Sequence, residues 1–300
     1  DGGTLYACAG KEKDKRNTFA EKFKIVQAFD TYPKLARCPE IDVIYIATPH
    51  SFHYEHTLLC LNNKKPVLCE KPLGVNFEQV TEMFRCAREN HVFLMEAMWT
   101  AFLPNIVEIQ QVVKNNTIGA VLHLKADFGF QAVYDETSRL FDPKLAGGAL
   151  LDIGIYPVFM SLIILGKPLK ITASAHIAPS GVDSSCAILF SYENGATASL
   201  YCSFDVHTDT TCDLFGTKGS IRIPGRFHEQ DHYFQQLNDE PVQKITTGRT
   251  GLGYFQEIEH VHHCLNQGLK QSPVMDFNMS ASLIEILDEI RNQIGVMYSG

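Results

Sequence analysis

The rhythm of this sequence changes near residue 98, and that change constrains the fold more than any other feature. Before it, short apolar runs alternate with segments of helical period; after it, strand-like runs follow one another across short turns. The first rhythm predicts a doubly wound parallel sheet with helices on both faces. The second predicts an α+β unit with a large, mostly antiparallel open sheet. We therefore expect an α/β protein of two domains, residues 1–97 and 98–300.

Period and turn chemistry locate the expected elements. Before residue 98 the strands are predicted at 4–9, 41–47 and 66–69, and the helices at 11–23, 53–61 and 76–90. Later strands are predicted at 121–130, 171–177, 186–192, 196–204, 210–215 and 220–223, and helices at 153–165, 254–268 and 279–294. Phe19, Ala20 and Phe23 share one face of the first helix, and Asn76 with Gln79 resembles a capping box.

Composition excludes several classes of function. Lys and Arg total 26 against 34 Asp and Glu, a net charge of −8, and no basic run is present. This argues against nucleic acid or an anionic membrane as a partner. The longest apolar stretch, 153–165, is far short of the ~20 residues of a membrane span. Nine scattered cysteines without a C-x-x-C pair indicate reduced thiols and predict a cytoplasmic protein.

The segment 67–76 places a lysine at a strand end. An apolar run stops abruptly at Glu70-Lys71-Pro72, and a helix start follows. Open α/β sheets bind their ligands at the carboxyl ends of strands, so a lysine on a rigid proline turn can be held against a cofactor or substrate. A plain strand–turn–helix junction with a solvated lysine is the alternative.

Asp152 and Tyr156 form a second candidate pair. Their i, i+4 spacing puts both on one helix face, inside an apolar run where an unpartnered acid is costly to bury. Pro157 lacks the N–H that would bond the Ile153 carbonyl, so we expect the helix to distort at this pair. The alternative is a helix cap for Asp152 and a core phenol for Tyr156.

Together these motifs resemble a known family. The sequence Ile-Ala-Thr-Pro at 46–49, His53, Glu70-Lys71-Pro72 and the glycine-rich run 147–156 are similar to the signatures of the glucose–fructose oxidoreductase/inositol dehydrogenase (Gfo/Idh/MocA) family. Segments 95–100, 216–219 and 272–274 resemble its dimeric dihydrodiol dehydrogenase and D-xylose dehydrogenase branch. The resemblance covers essentially all 300 residues and implies an N-terminal Rossmann domain.

The resemblance also implies roles for particular residues. Lys71 would lie beside the nicotinamide and the reacting hydroxyl. On this basis Tyr156 would remove or return the hydroxyl proton while Lys71 lowers the pKa of Tyr156, and Asp152 would orient the substrate. Trp99 would form a wall for a ring-shaped substrate. A homodimer formed through the second-domain sheet is expected as well.

The end of the first predicted strand indicates which cofactor the chain binds. The strand at 4–9 ends in Gly10 and Lys11, with no carboxylate before Glu12. A small residue and a cation in this place favour NADP over NAD, whereas a solvated lysine at a helix start is the alternative. The remaining predicted contacts to the cofactor cleft are Thr48, Pro49, His50, His53, Glu70, Lys71, Pro72 and Trp99.

In the resembled family a strand and a Gly-x-Gly-type turn, roughly 30 residues, precede the segment that begins here. We expect the natural protein to carry them upstream, because the parallel sheet would otherwise lack its central strand. Loss of the usual cofactor half-site is the alternative.

The sequence thus predicts an NADP-dependent oxidoreductase acting on a secondary alcohol or hemiacetal of a sugar or cyclic vicinal diol. Two alternatives stay open: a carbonyl reductase, such as an anhydro-sugar reductase, and a ligand-sensing protein that binds nucleotide without turnover. Histidines cluster at 50, 53 and 56, at 228 and 232, and at 260, 262 and 263, but none has a matching cysteine or Glu-x-x-His frame. No metal site is predicted.

Overall fold

The computed structural model describes residues 3–249, 251 and 253–298. The strands are β1 (Ala7–Ala9), β2 (Gln27–Phe29), β3 (Ile44–Ile46), β4 (Val67–Glu70), β5 (Leu94–Ala97), β6 (Val121–Gly129), β7 (Lys170–Ile177), β8 (Asp183–Ser191), β9 (Thr197–Ser203), β10 (Cys212–Gly216), β11 (Gly219–Ile223), β12 (His232–Leu237) and β13 (Gln243–Thr246). The helices are α1 (Lys13–Lys22), α2 (Tyr32–Ala36), α3 (His53–Asn62), α4 (Phe77–Asn90), α5 (Pro104–Lys114), α6 (Ile155–Leu165), α7 (Tyr254–Asn266) and α8 (Phe277–Ile294).

The Rossmann-like domain consists of two parallel sheets. Strands β1 and β2 pair with each other, and β4 pairs with β3 on one side and β5 on the other. No ladder joins β1 to β3 within the part of the chain that the structure describes. Strands β4 and β5 are buried apolar runs, as expected of parallel strands covered on both faces. Their carboxyl ends lie side by side, which sets Glu70 opposite Ala97.

The second domain is a mixed sheet of eight strands in the order β13-β12-β11-β10-β6-β9-β8-β7. Strands β6 and β9 are parallel to each other and the other pairs are antiparallel, so the prediction of a large, mostly antiparallel sheet is confirmed. Helix α6 packs on β6 and β9 and also contacts α8. It is therefore a central element of the core.

Segment 143–165 is long and apolar enough to cross a membrane, yet 83% of its 18-residue window is buried inside the protein. This burial is typical of a core helix, as predicted for 153–165.

The predicted start of α4 and the predicted face of α1 can be compared with the structure. Asn76 caps α4 by accepting the Gln79 N–H at 2.8 Å, and Gln79 Oε1 accepts the Val75 N–H at 3.2 Å, so the capping motif is confirmed. Phe19 and Phe23 share one face of α1 as predicted, since their ring centroids are 4.7 Å apart, and both side chains are about half exposed. Elements β2, β5, α2, α5, β12 and β13 were not predicted.

Gly154, directly before α6, lies close to β9. A Cβ at this position would lie 2.7 Å from Cys202 Sγ, a contact that real Cβ atoms do not make. Because both residues are buried, neither can move away cheaply. The glycine thus allows α6 to approach the sheet.

Gly154→Ala should lower the free energy of unfolding by about 1–3 kcal/mol through overpacking, measured by urea denaturation. Cys202→Ala removes the clashing sulfur, so the double variant should lose less stability than the two single variants summed. Strictly additive losses would contradict this packing account.

Candidate active site

The turn after β4 carries Lys71 toward the second domain. Its backbone is tied on both sides: Glu70 Oε2 accepts the Lys71 N–H at 3.2 Å, and Glu96 Oε1 accepts the Leu73 N–H at 2.9 Å. The Lys71–Pro72 peptide is cis. Burial raises the pKa of the Glu96 carboxyl to about 7. A buried acid from β5 therefore holds the turn that delivers the lysine.

Asp152 lies in a π-helical turn, Leu150–Gly154, that runs directly into α6. Pro157 follows in the first turn of α6, and its missing N–H breaks the regular i→i−4 ladder there. The predicted distortion at Asp152 and Tyr156 is therefore confirmed. Such π-turns occur frequently at functional sites, because the extra residue redirects side chains.

Lys71 and Asp152 meet across the two domains. The ammonium Nζ donates to the Asp152 carbonyl oxygen at 2.5 Å and lies 3.5 Å from Asp152 Oδ1. Arg139 donates to the same Oδ1 at 3.0 Å, and His50 Nε2 lies 3.9 Å from it. The Lys71 and Asp152 side chains are both about nine-tenths buried, whereas Arg139 is more than half exposed. One carboxylate thus faces three basic groups.

The charges around Asp152 fix its protonation. Burial alone would raise the pKa of the carboxyl, but the charges of Lys71 and Arg139 outweigh it, so the pKa is lowered and Asp152 is ionised. Burial, followed by the charge of Lys71, lowers the pKa of His50. A neutral His50 must donate its Nδ1–H to the Ala146 carbonyl at 3.1 Å, which leaves a lone pair on Nε2. His50 Nε2 and Asp152 Oδ1 together can accept hydroxyl protons.

Tyr156 lies beside this ion pair. Its hydroxyl accepts a hydrogen bond from Trp99 Nε1 at 2.9 Å, so the phenolic proton is left to be donated elsewhere. Lys71 Nζ stands over the Tyr156 ring, 5.1 Å from its centroid, in cation–π contact. That Lys71 lowers the pKa of Tyr156 stays a prediction. Burial raises that pKa well above its ordinary value, and the ammonium faces the ring.

Four rings next to Tyr156 form an aromatic wall, defined here as Trp99, Phe128, His228 and Tyr254. Trp99 stacks on Tyr254 with ring centroids 4.8 Å apart, and His228 stacks on Phe128 with ring centroids 4.4 Å apart. The rings of Tyr156 and His228 also pack together, with centroids 5.0 Å apart. Burial lowers the pKa of His228 to about 4, so this ring is neutral. Its buried Nδ1 has no hydrogen-bond partner within the described residues.

The turn after β3 is joined to the Lys71 turn by His53. The two ring nitrogens of His53 lie 2.7 Å from the Thr48 carbonyl oxygen and 2.8 Å from the Pro72 carbonyl oxygen. Thr48 Oγ1 is also 3.1 Å from His56 Nδ1. Pro49 starts the short 3-10 helix His50–Phe52, which carries His50 to Asp152. The predicted residues Thr48, Pro49, His50, His53 and Pro72 are thus brought to one cleft.

Gly10 and Lys11 lie at the opposite end of this cleft. Lys11 Nζ stands 5.6 Å from the centroid of the Phe52 ring, in the same turn that holds His50. Arg16 Nη1 donates to the Gly10 carbonyl at 2.7 Å, and its buried Nε has no partner among the described residues. Glu12 is already paired with Lys15 at 2.8 Å. Two cations therefore surround a glycine without an unpaired carboxylate beside it.

These donors fit a nicotinamide dinucleotide. The cleft runs along the carboxyl ends of β1, β3 and β4, where doubly wound sheets bind such cofactors. The buried hydroxyl of Ser51, in the 3-10 turn, also lacks a partner within the described residues. An orphaned guanidinium nitrogen and an orphaned hydroxyl are groups that a phosphate or ribose would satisfy.

Sequence reasoning missed Arg139, His228, Phe128, Tyr254 and Glu96. No local motif marks Arg139, which reaches Asp152 from the loop after β6. His228 was weighed only as a metal ligand, because its neighbours Arg226 and Glu229 are charged and give no local sign of a buried aromatic site. Among the described residues, no group of three or more His, Cys, Asp or Glu side chains is arranged to hold a metal ion.

Comparison with known protein families identifies two matches that follow one another along the chain. Residues 2–98 match the oxidoreductase family with an NAD-binding Rossmann fold, and residues 106–222 match the Gfo/Idh/MocA C-terminal domain. Together they span well over half of the sequence.

Individual proteins agree with these matches. The chain is 39% identical to the trans-1,2-dihydrobenzene-1,2-diol dehydrogenase of Mus musculus, over 98% of this chain and 90% of that protein. Its fold is similar to the aldose-aldose oxidoreductase of Caulobacter crescentus, with a TM-score of 0.87, 22% identity and coverage of 96% and 89%. It is also similar to a 3-ketoreductase of Actinomadura kijaniata solved with NADP, with a TM-score of 0.87, 22% identity and coverage of 99% and 91%.

The family matches, the near-complete coverage of the mouse enzyme and the site at the strand ends agree: this chain belongs to the Gfo/Idh/MocA family of oxidoreductases.

Proposed function

We propose that this protein is an NADP-dependent dehydrogenase that oxidises a secondary alcohol or hemiacetal of a sugar or cyclic vicinal diol. The observation that carries the proposal is the convergence of Lys71, Asp152 and Tyr156 in one buried site between the domains. The name of the mouse relative, a dihydrodiol dehydrogenase, supports a diol as substrate.

Each residue has a chemical task that follows from its surroundings. Ionised Asp152 accepts a hydrogen bond from the substrate hydroxyl, and neutral His50 offers a second acceptor beside it. Tyr156 removes the hydroxyl proton as a phenolate during oxidation and returns it as the phenol during reduction, while its oxygen accepts a hydrogen bond from Trp99. Lys71 stabilises negative charge on the reacting oxygen. A bound nicotinamide would supply the hydride chemistry.

The aromatic wall supports a ring-shaped substrate. Tyr254, the exposed member of the wall, can offer a flat apolar face to a ring, and the buried rings of Trp99 and His228 pack behind it. A carbonyl reductase is the second candidate. The raised pKa of Tyr156 favours it, because a phenol that stays protonated is ready to donate to a carbonyl oxygen.

Two further proposals rest on the sequence and the surface. The cysteines are free thiols and, apart from the half-buried Cys8, are buried, which supports a reducing, cytoplasmic location. The sheet face opposite α6 carries exposed apolar side chains, including Leu189 and Phe215. We propose that this face joins two copies in a homodimer, because exposed apolar side chains on a sheet surface favour association.

Lys71→Ala should reduce turnover of a trans-diol or aldose with NADP⁺ by at least ~100-fold, the scale of losing a group that acts on the reacting proton or oxygen. Tyr156→Phe should cause a similar loss. Nicotinamide absorbance measures the rate and calorimetry measures nucleotide binding separately. The control is Lys144→Ala, an exposed lysine of the loop before Asp152. Undiminished turnover by Lys71→Ala would remove this lysine from the mechanism, and nucleotide binding without turnover by the wild type would favour the sensor alternative.

Lys11→Ala and Arg16→Ala should each weaken NADPH binding by about tenfold or more and leave NADH binding nearly unchanged, because only NADPH carries the 2′-phosphate. Isothermal calorimetry with both nucleotides tests this. Lys15→Ala is the matched control, since Lys15 is exposed and paired with Glu12. Equal weakening of both nucleotides would refute the 2′-phosphate assignment.

Leu189→Glu should convert the dimer to a monomer, because it replaces an exposed apolar side chain of the proposed interface with a charge. Analytical ultracentrifugation measures the mass. Val133→Glu is the control, since Val133 is an exposed apolar residue outside the sheet. A wild-type monomer, or a dimer that survives Leu189→Glu unchanged, would locate the interface elsewhere.

A further inference from the structure

Asp183, at the start of β8, has no accessible surface and lies behind the catalytic segment. Its Oδ2 accepts the backbone N–H of Leu150 at 2.6 Å. Leu150 opens the π-helical turn that holds Asp152, two residues further on. A single buried carboxylate thereby fixes the first N–H of the turn that aims the catalytic side chains.

The chain just before this turn is fitted around the same carboxyl group. Gly148 has a φ of +120°, and a Cβ there would lie 2.4 Å from Asp183 Oδ1. Only glycine allows this approach without strain. Tyr298 donates from its hydroxyl to the neighbouring Gly147 carbonyl. Residues 147–150 are therefore held from two sides by groups that do not themselves reach the reaction.

Burial of the Asp183 carboxyl group costs stability. Burial raises the pKa of Asp183 to about 7, against the opposing effects of the Leu150 N–H and the charge of Arg291 on α8. Tyr298, Cys186 on β8 and Cys202 on β9 also face it. Its Oδ1 has no hydrogen-bond partner in the part of the chain described. An unsatisfied buried acid destabilises a fold, so its presence calls for a role other than stability.

We propose that Asp183 is a positioning residue that holds the Asp152–Tyr156 segment in its catalytic arrangement through the Leu150 N–H. The inference rests on the proposed function of that segment. It is independent of cofactor choice and substrate identity.

Asp183→Asn tests the proposal, because it keeps the shape of the side chain and replaces the charged acceptor of the Leu150 N–H with a weaker, neutral one. We expect kcat to fall by about 10- to 100-fold, the cost of a small misplacement of catalytic groups. The Kd for NADPH should stay within about twofold, since the nucleotide cleft lies along β1, β3 and β4.

Thermal unfolding separates positioning from a purely structural role. A folded-state pKa of about 7, raised from 3.8, means that wild-type stability falls as pH rises between these values. At pH 8 the wild type bears the full cost of burying an ionised carboxylate at position 183, and Asp183→Asn does not. The variant should therefore be at least as stable at pH 8 while it is less active.

Trp99 gives a signal that needs no turnover. It is the single tryptophan of the chain, and its Nε1–H bonds Tyr156, so its fluorescence reports where that segment sits. Wild-type emission should change with an apparent pKa near 7, and Asp183→Asn should lack this transition. Glu96→Gln is the matched control and should keep the transition. Glu96 is an equally buried acid with a pKa of about 7, but it bonds the turn that carries Lys71.

The outcomes are distinct. A transition that survives Asp183→Asn, or an Asp183→Asn protein with wild-type kcat, would overturn the positioning role. An Asp183→Asn protein that is both less stable and less active would show that Asp183 has a merely structural role. Absence of turnover in the wild type would count against the proposed function alone, because the fluorescence transition tests Asp183 without substrate. If Asp183→Asn does not fold, Tyr298→Phe should leave the wild-type transition in place, and its loss there would contradict the assignment to Asp183.

Discussion

The ion pair between Lys71 and Asp152 is the contact on which the rest of this site depends. It joins a turn of the Rossmann-like domain to a helix of the mixed-sheet domain, and both side chains are largely buried. A buried charge without its partner is strongly destabilising, so the two domains must meet in this one register. The chain meets that requirement with backbone anchors on each side: Glu96 at the Leu73 N–H and Asp183 at the Leu150 N–H.

The same arrangement explains why Asp152 and Tyr156 differ in protonation. Asp152 faces Lys71, Arg139 and His50, so its negative charge is stabilised despite burial. Tyr156 faces Trp99 and the ring of His228, and burial keeps its proton in place. Two groups one helical turn apart therefore hold opposite tasks, accepting and donating, because their surroundings push their pKa values apart.

Much of this could be predicted from residues whose chemistry acts locally. Pro157 predicts the helix distortion, Asn76 the start of α4, and the Glu-Lys-Pro turn the exit of Lys71 from the sheet. Contacts set by tertiary structure could not be predicted. Arg139 reaches Asp152 only because of the path of a long loop, and helical period showed that Phe19 and Phe23 share a face without showing whether anything covers it.

A single turnover with a trans-diol deuterated at its carbinol carbons tests the central claim most directly. Wild-type protein is mixed with NADP⁺, and the nicotinamide product is analysed by mass spectrometry. The account predicts that deuterium appears in the reduced nicotinamide at a slower rate than hydrogen does. It also predicts that Lys71→Met binds the nucleotide but transfers no deuterium. Transfer by Lys71→Met at the wild-type rate would contradict a catalytic site built on the Lys71–Asp152 pair.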